Sequence, residues 1–306
     1  MEIRFDGKVA IVTGAGNGLG RSHALALAER GAKVVVNDLG GARDGSGASS
    51  EAAKEVVALI EERGGEAMAH GANVAVMSEV EDMVAQAMAK WGRIDILVNN
   101  AGILRDKSFS KMSLDDFKLV MDVHLMGSVN CSKAVWEIMK GQGYGRIVMT
   151  TSSSGMYGNF GQSNYGAAKM AVLGLMNTLG LEGAKYDVRI NALSPTAATR
   201  MTEDLLPQEV LDLLTPESVT AGALLLCHDD APNRHILCAG AGGYASARIF
   251  ETDGVFIEEA KQSPESVAAQ WQDINDVSQQ QQLESGGKQT EKFLMKAMAH
   301  LQSQSS

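Results

Sequence analysis

Tyr165 and Lys169 stand four residues apart, Y-G-A-A-K, in a stretch with helical character. That spacing puts both side chains on one helix face. A phenol has a pKa near 10 and is a poor base at neutral pH, but a nearby ammonium together with a positively charged cofactor ring favours the phenolate. Lowering that pKa by two to three units requires roughly 3–4 kcal/mol of differential interaction. One cation in a dry cleft can supply this. The chemistry would be proton transfer to or from a substrate hydroxyl. Upstream, the apolar run Arg146 to Thr150 leads into Thr151-Ser152-Ser153-Ser154-Gly155. Ser152 would sit just past a strand end, placed to hydrogen-bond the substrate oxygen. Tyr-x-x-x-Lys arises often by chance, and serines after a strand are more often a turn. Neither feature decides anything alone.

A second group of residues could hold a cofactor. Val9 to Val12 is followed by Thr13-Gly14-Ala15-Gly16-Asn17-Gly18-Leu19-Gly20 and then a helical pattern. Glycines let the backbone turn sharply and approach a pyrophosphate, whose charge then lies on the helix N-terminus. The spacing Gly14, Gly18, Gly20 departs from the common dinucleotide fingerprint, whose third glycine would fall on Leu19. Asp38 ends the second apolar run, where a carboxylate accepts hydrogen bonds from adenosine ribose hydroxyls and repels a ribose 2′-phosphate. Asn17 and Leu39-Gly40 occupy the places where a basic residue would welcome that phosphate. The reading is NAD rather than NADP.

These residues need a scaffold, and the hydrophobic pattern supplies one. Short β-branched runs at Val9–Val12, Val34–Val36, Ile94–Val98, Arg146–Thr150, Arg189–Leu193 and Ile236–Ala239 alternate with helical periodicity. The helices carry Leu19 to Glu29, then Ala53, Val56, Val57 and Ile60, then Val80 to Trp91. One long helix covers roughly Asp115 to Met139, and another begins near Asn164. Runs apolar on both faces and separated by helices read as α/β, a doubly wound parallel sheet. The strand at Arg189 is expected to stop at Pro195. Residues 1–245 form the main domain. Residues 246–306 form a helical C-terminal extension, with a helix start at Ser263-Pro264-Glu265, an amphipathic helix from Gln289 to Leu301, and a role in closing an interface or covering a cleft.

Composition excludes several classes. The chain has 306 residues and a formal net charge of −10, which argues against a nucleic-acid partner. No apolar stretch approaches the roughly 20 residues of a membrane span, and no membrane partner is expected. Cys131, Cys227 and Cys238 are scattered and apolar-flanked, which fits a reducing cytoplasm rather than a disulfide framework. The six histidines show no ligand spacing, so no metal site is expected.

The glycine loop, Asp38, Asn99-Asn100-Ala101-Gly102, Ser152 and the Tyr165/Lys169 pair follow successive elements in one order. In that order they resemble the short-chain dehydrogenase/reductase family over about residues 5 to 240. The resemblance implies a Rossmann-type fold and an NAD-dependent enzyme acting on a secondary alcohol. It implies Ser152, Tyr165 and Lys169 as the catalytic set, with Tyr165 as general base and Lys169 also binding the ribose. For the cofactor it implies Gly14, Asn17, Gly18, Leu19, Gly20 and Asp38, Asn73 and Val74 at the adenine, Asn100, Ala101 and Gly102 on the adenosine side, and Thr199 at the nicotinamide amide.

A narrower likeness lies in Val36 to Gly41, Asn100 to Phe109, Tyr157 to Gln162, Arg200 to Glu203 and Ser263 to Trp271. These stretches resemble the dehydrogenase portion of the multifunctional β-oxidation enzymes. That implies a (3R)-hydroxyacyl-CoA as the small-molecule substrate, with a 17β-hydroxysteroid or another alcohol as the alternative. A homodimer or homotetramer is expected. A non-catalytic NAD-binding scaffold is the alternative of another class. Two positions depart from the family pattern: His124 replaces an asparagine that anchors a relay water, and Thr196 replaces a glycine after Pro195.

Overall fold

Val9–Thr13 (β1) is buried at every position, and a strand apolar on both faces must be covered on both. The computed structural model describes residues 2–42, 44–47, 49, 51–197 and 207–304. After β1 come α1 (Gly18–Glu29), β2 (Lys33–Asn37), α2 (Glu51–Glu62), β3 (Glu66–His70), α3 (Met77–Trp91) and β4 (Ile96–Asn99). The second half holds α4 (Leu114–Met121), α5 (Gly127–Gln142), β5 (Gly145–Thr150), α6 (Ser153–Tyr157), α7 (Ser163–Gly183) and β6 (Val188–Thr196). It closes with α8 (Gln208–Leu211), α9 (Pro216–Cys227), β7 (Ile236–Gly240) and β8 (Gly243–Ala247).

The strands form one sheet in the order β3-β2-β1-β4-β5-β6-β7-β8. Strands β1 to β7 pair in parallel. The doubly wound α/β sheet read from the sequence is therefore the observed fold. Its strand order reverses between β1 and β4, and ligands of such sheets bind beyond the strand ends at that switch point. One face of the core joins Val12, Val34, Val36 and Val98 to Ala24 and Leu27 of α1 and to Val219 and Ala223 of α9. Burying one such Leu side chain contributes on the order of 2 kcal/mol.

Two strands lie outside the sequence expectation. β3 is an edge strand in which only Ala67 is buried, so its pattern carries little hydrophobic signal. β8 follows β7 after two residues, Ala241 and Gly242, both at positive φ (50° and 77°). That is the turn of a two-residue hairpin, so β8 runs antiparallel.

Two further expectations need correction. β6 does not stop at Pro195 but continues to Thr196, pairing Pro195 with Ala239 of β7. Its pairing with β5 ends at Leu193, so the proline lies where the strand has an open side. The segment Gln208–Cys227 has the length and apolar composition of a membrane span. It is nevertheless two helices separated by a turn before Pro216. α9 alone rises about 18 Å, short of a bilayer's roughly 30 Å core, and it packs into the core.

The chain forms two compact units, Met1–Ser246 and Ala247–Ser306. The second contains α10 (Pro264–Ala269), α11 (Trp271–Ile274) and α12 (Gly286–Gln304). The Ser263 side chain accepts a hydrogen bond from the Ser266 amide, capping α10 where the sequence placed a helix start. Lys292 and Lys296 tie α12 to Thr252 (2.8 Å) and Asp253 (2.5 Å).

Candidate active site

The glycine loop after β1 is built for close backbone approach. Gly14 and Gly18 have φ of 64° and 53°, where a side chain would be strained. A Cβ at Gly20 would lie 2.1 Å from the Gly14 carbonyl oxygen. Thr13 and Asn100 hold the loop to the end of β4. The Thr13 hydroxyl accepts from the amides of Asn100 (3.0 Å) and Ala101 (3.1 Å). The Asn100 side-chain amide donates to the carbonyls of Thr13 (3.0 Å) and Gly14 (3.1 Å). Asn100 is thus a strut of the cleft, with its amide nitrogen turned to protein. Leu19 is half-buried against the core.

Exposed Asn17 precedes α1 and makes no side-chain bond to its first turn. Those N–H groups keep their capacity to bind an anion. Asp38, just past β2, accepts from Gly16 N (2.7 Å) and Gly40 N (2.7 Å), one on each carboxylate oxygen. Each oxygen retains a lone pair for a further donor. A glycine cradle, helix-terminal donors and a carboxylate at the strand end together fit a nicotinamide dinucleotide.

Beyond β3, the Asn73 side chain accepts from Ala75 N (3.0 Å), and the Asn73 backbone N–H donates to the Glu79 carboxylate (2.8 Å). Val74 is buried against Gly127, and its carbonyl accepts from Asn130 (2.9 Å). Its side chain serves packing here. Thr199 lies outside the described residues.

The second half of the site forms where β5 ends and α7 begins. Ser152 caps α6, its hydroxyl accepting from Ser154 N at 3.2 Å. The Ser152 hydroxyl lies close enough to the Tyr165 phenol to favour its ionised form. A Cβ at Gly155 would lie 2.9 Å from the Lys169 backbone, so a glycine is needed for the serine segment to rest on α7. Lys169 is only 4% exposed. Its ammonium donates to the Thr150 carbonyl at 2.7 Å, while Thr151 Oγ1 donates to the Lys169 carbonyl at 2.7 Å. The ammonium lies 5.5 Å from the centre of the Tyr165 ring. Ser152, Tyr165 and Lys169 therefore converge, as the sequence order required.

The electrostatics correct one expectation. Burial raises the pKa of Tyr165; the nearby Ser152 hydroxyl opposes this and the charge of Asp106 adds to it. Burial also lowers Lys169 to about 7. In the protein alone, desolvation outweighs any attraction between phenolate and ammonium, so Lys169 does not by itself hold Tyr165 ionised.

His124 completes the constellation. It lies in a single π-helical turn, Asp122–Met126, joining α4 to α5; such turns recur at functional sites. Its Nε2 is 2.8 Å from the Ile103 carbonyl oxygen, and its ring meets Tyr165 edge-on at 5.1 Å. A Cβ at Gly102 would lie 2.4 Å from the ring. Burial first, then the charge of Lys169, holds its pKa well below the usual histidine value, so it is neutral.

Sequence reasoning missed Asn164 and Arg105. Buried Asn164 accepts from Tyr165 N (2.7 Å) and donates to the Arg105 carbonyl (3.1 Å). A polar residue at the start of a helix was the available signal. Tyr157 and Phe160, which belong to a stretch of the narrower likeness, are 75% and 90% exposed.

The profile described as short chain dehydrogenase matches residues 8–210. A Mycobacterium tuberculosis protein named as a short-chain type dehydrogenase/reductase is 49% identical over 89% of this chain and 95% of its own length. Peroxisomal multifunctional enzyme type 2 of Mus musculus is 48% identical over 90% of this chain, which spans 38% of that enzyme. The solved full-length enzyme of that name from Drosophila melanogaster superimposes with a TM-score of 0.82 at 38% identity, covering 98% of this chain and 51% of its own. A 7α-hydroxysteroid dehydrogenase complexed with NADH and 7-oxo glycochenodeoxycholic acid gives a TM-score of 0.71 at 30% identity over 78% of this chain and 95% of its own. The chain is an oxidoreductase of the short-chain dehydrogenase family.

Proposed function

We propose that this protein oxidises the C3 hydroxyl of a (3R)-hydroxyacyl-CoA to a ketone with NAD. The observation that carries the reading is the meeting of Ser152, Tyr165 and Lys169 beside a glycine cradle whose strand-end acid is Asp38. Asp38 favours NAD, because a ribose 2′-phosphate there would face a carboxylate. The acyl-CoA substrate rests on the sequence likeness to multifunctional β-oxidation enzymes and on relatives of that name. The neighbour complexed with NADH supports a nicotinamide cofactor.

Bound NAD supplies the hydride acceptor and a positive ring charge. Ser152 orients the substrate hydroxyl and stabilises the forming carbonyl oxygen. Tyr165 takes the hydroxyl proton. Lys169 adds positive charge beneath the phenol and binds the ribose hydroxyls. Asn17 to Gly20 would present backbone donors to the pyrophosphate, and the family resemblance assigns Thr199 to the nicotinamide amide. The free thiols suit a reducing compartment such as the cytoplasm, while the mouse relative is named as peroxisomal. A homodimer or homotetramer is the assembly proposed.

Initial rates of cofactor reduction, with NAD and NADP against (3R)- and (3S)-hydroxyacyl-CoAs and 17β-hydroxysteroids, test the proposal. The expected result is turnover of the (3R) thioesters with NAD. Preferential turnover of a steroid or a (3S) thioester refutes the substrate. Cofactor binding without turnover of any alcohol favours a scaffold.

A further inference from the structure

The segment Gly102 to Lys107 touches the machinery at Ile103, Arg105, Asp106 and Lys107. Ile103 bonds His124, the Arg105 carbonyl accepts from Asn164, Asp106 accepts from Gln162 (2.7 Å), and the Lys107 amide donates to the Gly161 carbonyl (2.9 Å). All these contacts belong to the Tyr165 side of the cleft. The Arg105 side chain faces elsewhere. Its Nε donates to the Asp44 carbonyl at 2.9 Å and its Nη1 to Asp116 Oδ1 of α4 at 2.8 Å.

Asp44 belongs to the loop that begins at Asp38, the candidate ribose acid. Gly40 N bonds the Asp38 carboxylate, Ser49 N returns to the Leu39 carbonyl (2.8 Å), and Gly45 N bonds the Ala42 carbonyl (2.9 Å). The loop also rests on Ile103, which a Cβ at Gly45 would approach to 3.2 Å. Arg105 is therefore the side chain that fastens this loop to the segment carrying the hydrogen bonds of Tyr165's neighbours. Only a guanidinium can reach a carbonyl and a carboxylate at once through separate, rigidly placed N–H groups.

We propose that Arg105 is a positioning residue that couples the adenosine end of the cofactor cleft to the tyrosine-bearing helix, a role that rests on the nicotinamide-dinucleotide reading above. Arg105 fixes the loop after Asp38, and so fixes the carboxylate that meets the ribose. Through its carbonyl and Asn164 the same residue sets the start of α7.

Arg105→Lys tests this, since a lysine keeps a charge for Asp116 but loses the Nε–H to Asp44. The expected result is an NADH Kd about tenfold weaker, as for one lost hydrogen bond to a charged group. The KM for NAD rises in step and kcat at saturating NAD falls, because the start of α7 is less firmly set, while the Tm stays near wild type. In the cofactor-free protein, the amides of Gly45, Ser49 and Tyr165 exchange faster. An unchanged Kd together with unchanged exchange overturns the coupling. So does a fall in Tm and kcat with Kd intact, which marks a purely structural role. A wild-type protein that binds no NADH refutes the nicotinamide reading, and the exchange rates then still decide whether Arg105 fastens the loop.

Discussion

Lys169→Met is expected to make the protein more stable at neutral pH while abolishing its turnover. The lysine is 4% exposed, and its ammonium donates to the Thr150 carbonyl. Burial brings its pKa from 10.5 to about 7. The folded-state value is thus lower than the unfolded one, and between about pH 7 and 10.5 the unfolded chain binds more protons. Stability therefore rises with pH across that window. At about 1.4 kcal/mol per pH unit, the buried lysine costs the folded state about 4 kcal/mol at pH 7 and about 1–2 kcal/mol at pH 9.5. Methionine fills the same volume without an ionisable group, though it leaves the Thr150 carbonyl without this donor, at about 1–2 kcal/mol. The net expectation at pH 7 is a gain of about 2–3 kcal/mol. Urea denaturation of both proteins at pH 7 and pH 9.5 checks this. Wild type should gain about 3 kcal/mol on the variant between the two. An unchanged gap refutes the assignment of a buried, poorly solvated ammonium.

Tyr165→Phe should lower turnover by about 10²–10⁴-fold, the usual worth of a general base, with cofactor affinity nearly intact. Because burial raises the Tyr165 pKa, its base form appears at more alkaline pH. Alcohol oxidation in wild type should therefore rise through the alkaline range, and a flat profile contradicts the base assignment. Asp38→Ser removes the charge facing a ribose 2′-phosphate, so kcat/KM for NADP relative to NAD should rise by about tenfold or more. Gly20→Ala places a Cβ 2.1 Å from a backbone oxygen. It should cost about 1–3 kcal/mol of stability and weaken NADH binding by calorimetry; an unaffected Kd argues that the cradle is not the cofactor site.

The strands that set the switch point were legible because Ile, Val and Leu fill β1, β2 and β4 on both faces. β3 was hidden because Glu66, Met68, Ala69 and His70 are not fully buried. Ser152, Tyr165 and Lys169 could be singled out because each follows a recognisable element, in an order that the family resemblance supplied. Arg105 and Asn164 act through one backbone carbonyl and two short bonds, a relation that no spacing encodes. The phenol's acidity was misjudged for the same reason: helical spacing gives the distance to the ammonium, but desolvation depends on everything packed around both.

That correction bears on how one tyrosine can serve both directions of the reaction. In the protein alone, burial favours the protonated form of Tyr165, and Lys169 carries only part of a charge near neutrality. Tyr165 is then suited to donate a proton to a ketone. To act as base for an alcohol it needs a further positive charge nearby, and the two oxidation states of a nicotinamide differ by just such a charge. The neutral His124 ring at its edge adds none. Tyr165 should therefore ionise at lower pH with NAD bound than with NADH bound. Difference absorbance of the phenolate, measured in titrations of wild type and Tyr165→Phe with each form, reads this directly. Equal ionisation in the two complexes would return the burden to Lys169 and require the ammonium to move closer to the phenol than its 5.5 Å from the ring centre.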